Sequence, residues 1–412
     1  MKRFSFIAVL VLFVLSSCGT PMRMVTGYSS DEDLGWLFSG KGPYILKTHV
    51  KAAPGPADFK LVKDLSLMSD TPDVVFETNA SVTPDGTLEV ALGKLAPGFY
   101  QVRLRDTLRW NIGIRPDAVI SAPDAPEDFD AFWESTLTEL DKVPLEPVWT
   151  LVPEYSNERR QCFEVRYASL GGATSGGIIS IPVAPGKYPV VINYMGYGAK
   201  SFYYDPSEEP KCIRYLVSVR DQGIFLEGNS RWIDRGISSR EEYYYRGAFC
   251  DVKRAVDFIA SLEKADATHI VATGESQGGG FSFVAAALDG RIKAIAAGVP
   301  FLGDYRDYAQ IVRWPVHEVM DEATARGIPH EQLFDMLRYF DAKNFAAKIT
   351  CPVFMAFGLQ DPVCPPHTNF SIYNNLKTKD KHFLCVPTCG HAMWKEESWK
   401  QERVAFIDSF LQ

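Results

Sequence analysis

The sequence predicts an α/β fold in two parts: a largely parallel sheet covered by helices and carrying a helical insertion, preceded by a small β-sandwich domain. Three observations carry this. From about residue 164 onward β-rich and helical patterns alternate, which specifies parallel strands joined by crossover helices. Between about residues 31 and 116 the pattern is instead one of short period-two runs broken by turn chemistry. Residues 299–348 are helix-rich with no clear strand, and an insertion at that point is placed to cap a site.

The elements follow in order. In the first part, residues 88–92 follow the turn Asp85-Gly86, Tyr100-Val102-Leu104 follow Pro97-Gly98, and Trp110-Ile112-Ile114 form a third alternating run. A polar, Pro-rich stretch over residues 115–126 ends this domain, and a helix over 129–140, opened by Asp124 and Pro126, begins the second. That helix carries Phe129, Phe132, Trp133 and Leu137 on one face. Strands are expected at 189–194, 213–219, 268–273, 292–297, 353–357 and 382–386, with helices at 251–263 and 277–288. The domains are therefore residues 31–116 and 117–412.

The 412 residues, 46% hydrophobic and 23% charged, supply enough apolar surface for a large core and exclude intrinsic disorder. A net charge of −8 provides no basic field for a polyanion, so nucleic acid is not an expected partner. Lys2 and Arg3 precede a short apolar run to Leu15, which is a secretory signal rather than a membrane span. It ends in Leu15-Ser16-Ser17-Cys18-Gly19, which resembles the bacterial lipobox. Residues 1–17 are then removed, Cys18 is acylated, and residues 18–30 are a tether. Gly19 after the cysteine resembles lipoproteins sorted to the outer membrane, so the expected location is the cell envelope of a Gram-negative bacterium, membrane-bound through the lipid. Seven other cysteines, without Cys-x-x-Cys spacing or a His cluster, give no metal site. Cys351, Cys364 and Cys385 read as buried thiols, while Cys385 and Cys389 are spaced to close a small disulfide loop.

Gly274-Glu275-Ser276-Gln277-Gly278 fits G-x-S-x-G, a pattern that arises by chance in roughly one chain in seven of this length. Its context is more specific, because it follows an apolar strand and opens an Ala-rich helix. That is the setting of a nucleophile elbow, with Ser276 as nucleophile. The chain order in such folds is Ser, acid, His. His49 and His269 precede Ser276, His317 and His330 fall in the insertion, His367 lies just past the candidate acid, and His382 enters the last strand. His391, in the loop after that strand, is the expected base. Asp361, just beyond the penultimate strand, is the expected acid, with Asp304 and Asp341 as alternatives less well placed. The oxyanion that such chemistry generates needs backbone N–H donors: one from Gln277, the other from the loop after residues 189–194, with Tyr197 the candidate.

Pro126-Glu127-Asp128-Phe129-Asp130-Ala131-Phe132-Trp133, the stretch from Thr273 to Gly280, Gly298-Val299-Pro300-Phe301-Leu302 and the stretch from Gly358 to Pro366 resemble the cephalosporin-C deacetylase and acetyl-xylan esterase family. The likeness spans about residues 120–412. It implies an α/β-hydrolase fold and removal of acetyl groups from sugar hydroxyls, with an acetylated oligosaccharide as substrate. Ser276, Asp361 and His391 then match the family triad, Tyr197 and Gln277 its oxyanion donors, and no cofactor is implied. The resemblance also brings an oligomer, a ring-like hexamer in the family, which the additional β-domain and lipid tether would obstruct. Three departures stand out: Met195-Gly196-Tyr197 where the family has His-Gly-Tyr, Arg220-Asp221-Gln222 where it has Arg-Gly-Gln, and Ala392 rather than Glu after the base. The bulky loop Tyr194-Met195-Gly196-Tyr197 is expected to wall the acyl side of the site. Competing expectations are a peptidase or general carboxylesterase on the same fold, or a non-catalytic glycan-binding lipoprotein using Phe202, Tyr203 and Tyr204 as a sugar platform.

Overall fold

A computed structural model describes residues 36–227 and 231–411. The expected signal, Cys18 and the tether lie outside the described residues.

Among the described residues seven strands come first: β1 (Leu37–Phe38), β2 (Tyr44–His49), β3 (Gly55–Lys63), β4 (Val74–Val82), β5 (Thr87–Gly93), β6 (Gly98–Leu104) and β7 (Leu108–Ile114). They form one sheet in the order β1-β7-β6-β3-β4-β5-β2. Strict alternation along β2 and β5 buries one face of each, and their Leu46 and Val90 share a core with Phe59, Val102 and Ile112 from distant strands. The sheet therefore doubles back on itself. The hinge is the β4–β5 junction, paired only at Val82 and Leu88, and Trp36 Nε1 closes the far side by donating to Thr48 Oγ1 at 3.0 Å. The expected sandwich is one folded sheet rather than two separate ones.

The second sheet has nine strands: β8 (Val148–Leu151), β9 (Arg160–Ala168), β10 (Thr174–Pro182), β11 (Tyr188–Tyr194), β12 (Ile213–Ser218), β13 (Ala265–Glu275), β14 (Ile292–Gly298), β15 (Val353–Gly358) and β16 (Lys381–Val386). Their order is β16-β15-β14-β13-β11-β12-β10-β9-β8, parallel from β12 through β16 and antiparallel at the β10, β9 and β8 end. Nine α-helices among the described residues complete the fold: α1 (Phe129–Asp141), α2 (Tyr244–Ala260), α3 (Gln277–Leu288), α4 (Tyr305–Ile311), α5 (Val316–Ala325), α6 (His330–Leu337), α7 (Ala342–Ala346), α8 (Pro366–Asn375) and α9 (Glu397–Asp408). The expected helical insertion is α4 to α7, between β14 and β15. Two expectations shift. Helix α2 begins at Tyr244 rather than residue 251, because Tyr244, Tyr245, Ala248 and Phe249 extend its buried face toward the N-terminus. Asp124 does not open α1; its carboxylate accepts from Asn344 Nδ2 at 3.1 Å, tying the linker to α7.

The folded β-sheet is not a detached module, since Leu37 and Phe99 belong to the core of the larger sheet. Phe99 packs on Phe370 of α8 at 5.8 Å between ring centroids. Beside it, buried His367 places Nδ1 3.0 Å from Asp64 of the first domain and Nε2 3.1 Å from Asp307 of α4. Burial opposes a charge on this ring, but hydrogen bonds to Asp307 and Asp64 and their fields outweigh it and raise its pKa to about 10. A group whose folded pKa is raised contributes stability that is full below its unfolded value, near 6.5, and is lost as pH rises through about 10. Melting of wild type and His367→Gln across pH 6 to 10 should therefore show a gap that is widest at pH 6 and narrows upward; a constant gap would show that the ring carries no proton between the domains.

Candidate active site

Ser276 sits between the end of β13 and the start of α3 with φ 57° and ψ −122°, a conformation costly for a residue with a side chain, of order 1–3 kcal/mol. Its surroundings impose it. The Ser276 N–H donates to the Gly298 carbonyl at 3.0 Å, and its carbonyl accepts from the N–H groups of Gly280 and Phe301. The motif's glycines are there because backbone approaches backbone: a Cβ on Gly278 would lie 2.0 Å from the Tyr194 carbonyl oxygen, and one on Gly274 would lie 2.5 Å from Gly278.

The loop after β16 brings His391 Nε2 to 3.1 Å from Ser276 Oγ, and its Nδ1 lies 2.9 Å from Asp361 Oδ2. Asp361, after β15, is buried, and its other oxygen accepts the N–H groups of Val363 and Cys364 at 2.7 and 2.9 Å. With the Nδ1 proton given to Asp361, the Nε2 lone pair faces the serine hydroxyl and can take its proton. The three residues expected from chain order are thus brought into one hydrogen-bonded chain. Asp304 and Asp341 are not part of it: they lie together in a buried cluster with Lys343, where Asp341 caps α7.

Gln277 is the first residue of α3, so its N–H has no acceptor within the helix. The loop carrying Tyr197 lies against that first turn, through the Gly278 approach to Tyr194. A buried amide pair fixes the two together: Gln277 Nε2 donates to Gln222 Oε1 at 3.1 Å, Gln222 Oε1 also accepts the Gly198 N–H, and Tyr245 OH donates to Gln277 Oε1 at 2.9 Å. The sequence assigns the N–H groups of Gln277 and Tyr197. The side-chain pair was missed, although Gln222 stood in the altered Arg220-Asp221-Gln222 stretch.

The expected acyl wall is corrected by the packing. Tyr194 points into the core, its OH donating to the Val252 carbonyl at 3.0 Å, and Met195 is buried among Cys162, Ile178 and Leu216. Only Tyr197 of that loop joins an aromatic group near the site, 5.0 Å from Trp232 and 6.4 Å from exposed Trp314, while exposed Trp394 lies 5.9 Å from His391. Of the expected sugar platform, Tyr203 stacks on Tyr155 and donates to Glu164 and Tyr204 lies under Arg214, while Phe202 is exposed. Cys385 and Cys389 are both free thiols, so the expected small loop is not closed by a disulfide. Among the described residues, two groupings bring three potential metal ligands together, Asp361 with Cys364 and His391, and Asp304 with Asp307 and His367. In both, the imidazole nitrogens are engaged by protein partners.

The comparisons agree on one relationship. The family described as acetyl xylan esterase (AXE1) matches residues 119–409. Acetyl esterase Axe7A of Xylanibacter ruminicola is 26% identical over an alignment covering 97% of this chain and 95% of that protein, so the likeness reaches into the first sheet. The acetyl xylan esterase from Paenibacillus sp. R4 superposes with a TM-score of 0.65 at 28% identity, covering 72% of this chain and 99% of its own. Acetyl Xylan Esterase 1 from Thermoanaerobacterium sp. JW/SL YS485 gives 0.66 at 25%, covering 72% and 98%.

The first domain reaches the acid loop through Gln360. Its Oε1 accepts the Asn111 N–H at 2.7 Å, its Nε2 donates to the carbonyls of Asn111 and Pro387, and Asn111 Nδ2 donates to the Leu359 carbonyl. Gln360→Ala strands backbone groups on both domains and should lower stability by about 1–3 kcal/mol. It should also reduce kcat by up to about 100-fold, because Asp361 is the next residue. Chemical denaturation and ester turnover check this; unchanged kcat would separate the clamp from the site.

Proposed function

The chain belongs to the acetyl xylan esterase family and is a carboxylic ester hydrolase; from that premise we propose that it removes O-acetyl groups from acetylated xylan or related oligosaccharides through Ser276, His391 and Asp361. The observation that carries the reading is the hydrogen-bonded chain from Ser276 Oγ through His391 to Asp361, set at a strained turn. In the proposed reaction, Ser276 Oγ attacks the acetyl carbonyl as its proton passes to His391 Nε2. The N–H groups of Tyr197 and Gln277 receive the oxyanion. Collapse leaves an acetyl-serine and expels the sugar oxygen, which takes the proton from His391. Water, deprotonated by the same nitrogen, then releases acetate. The exposed rings of Trp314 and Trp394 beside the site suit the apolar faces of sugar rings.

Acetate release from acetylated xylo-oligosaccharides tests this directly. Ser276→Ala and His391→Ala should each lower kcat by about four to six orders of magnitude. Retention of a tenth of wild-type activity by the serine variant would remove the nucleophile assignment. A rate that stays flat or rises from acetate to octanoate esters would favour a general carboxylesterase.

The location is part of the same proposal. Acylation of Cys18 would hold the enzyme at the cell envelope, on the outer membrane, without a spanning helix. Cys18→Ala should move the protein from the membrane pellet to the soluble fraction with its specific activity intact. A variant that stays in the pellet at high salt would contradict the lipid anchor.

A further inference from the structure

A cleft of about 410 Å³ opens between the two domains, large enough for a sugar unit. One wall is the β6–β7 hairpin, with Gln101, Arg103 and Arg109; the other is the loop from Gln360 to Pro366, which carries Asp361. The hairpin register sets Arg103 directly opposite Arg109. Both guanidinium groups therefore stand on one face of the sheet. Like charges directly across a strand pair are destabilising. Here they are not neutralised: among the described residues neither arginine has a carboxylate within ion-pairing distance, and Arg103 bonds only Gln101 Oε1, at 2.9 Å. Burial and the neighbouring Arg109 charge lower the Arg103 pKa, against an opposing pull from Asp106 at the hairpin tip. Asp64 also lines the cleft, but its carboxylate is held by His367.

We propose that this interdomain cleft is a subsite for a uronic acid unit of the acetylated glycan, its carboxylate paired by Arg103 and Arg109. Two planar forks facing one cleft match a carboxylate, which Arg binds through paired charge-assisted hydrogen bonds. The neighbouring amide of Gln101 supplies a donor for the ring hydroxyls of a sugar. The first domain then selects acidic glycans for a triad whose three residues all lie in the second. The ligand class rests on the carbohydrate reading of the active site, and the test keeps the two apart.

The full chain carrying Ser276→Ala, which binds without turnover, is titrated by calorimetry with a xylo-oligosaccharide bearing one glucuronic acid branch and with its unbranched counterpart. The acidic ligand should bind at least about ten-fold tighter, the smallest effect expected of charge-assisted pairing. The preference should weaken with salt and fall to about one when Arg103→Gln and Arg109→Gln are added. Arg109→Gln alone, at the exposed position, should lose part of it and guards against misfolding of the double variant. In the active enzyme, the ratio of kcat/KM for acetylated acidic and neutral substrates should follow the same order. Equal affinity for the two oligosaccharides would overturn the subsite. Inorganic phosphate competing as well as the acidic oligosaccharide would also overturn it, by showing a general anion site. Arginine-dependent binding with no acetate released by the wild-type enzyme would leave the subsite standing and refute the proposed reaction.

Discussion

The constraint on which the rest depends is the approach of two backbones at Gly278. Because no Cβ intervenes, the carbonyl of Tyr194 at the end of β11 lies against the first turn of α3, and that contact sets several things at once. It brings the Tyr197 loop to the helix N-terminus, where unpaired N–H groups gather. Beside it Ser276 takes a positive φ, and its hydroxyl leaves the strand toward His391. Packed neighbours over-determine a backbone that would relax if isolated, which is how such strain persists. The parallel sheet serves this arrangement by ending β11, β13, β15 and β16 at one edge, with β14 between β13 and β15, so that their loops converge.

Convergence alone does not hold the acid loop. Gln360 acts as a short strand of its own, its amide pairing the N–H and carbonyl of Asn111 as a neighbouring backbone would. The first domain is thereby part of the frame of Asp361, and His367 between Asp64 and Asp307 adds a charged contact a short distance away. A buried charge of this kind contributes little net stability against an apolar replacement, but removing one partner is costly. It therefore favours a single docking geometry over docking strength. The cleft lined by Arg103 and Arg109 depends on that geometry, since its walls come from different domains.

The sequence made legible what local pattern encodes. The buried strands β13, β14 and β15 are continuous apolar runs, and a Gly-rich turn after the first of them isolates Ser276; the same logic placed Asp361 and His391 one loop each beyond a strand. β4 was not legible, because its inward face, Phe76, Thr78, Ala80 and Val82, is mostly only partly buried and includes a polar residue, which weakens the apolar alternation. Nor was β8, all four of whose residues are exposed. The Gln360 clamp and the His367 bridge join residues 249 and 303 positions apart, and no pattern within either segment announces the other. The loop Tyr194-Met195-Gly196-Tyr197 shows the converse limit. Its bulk was readable, but the alternation of β11 and the depth of the sheet decide that Tyr194 and Met195 pack inward and leave Tyr197 near the site.

The departures at Met195 and Asp221 are explained by what surrounds them. Asp221 occupies a φ of 63°, where glycine is unstrained and aspartate among the better tolerated substitutes, and its carboxylate is paired with Arg235. The turn is held from both sides: Arg220 makes a bidentate pair with buried Asp251, and Gln222 reaches Gln277 and the Gly198 N–H. Met195 fills a small apolar cluster, with the Ser218 hydroxyl 3.6 Å from its sulfur. The flexible thioether fits between these apolar side chains and the hydroxyls of Ser201 and Ser218. Both substitutions lie in the supports of the oxyanion loop, and in both the amide pair Gln222–Gln277 still ties the loop to the helix that carries Ser276. The pair Gln222–Gln277 thus carries the tie between the oxyanion loop and the nucleophile's helix, with Met195 and Asp221 packed around it.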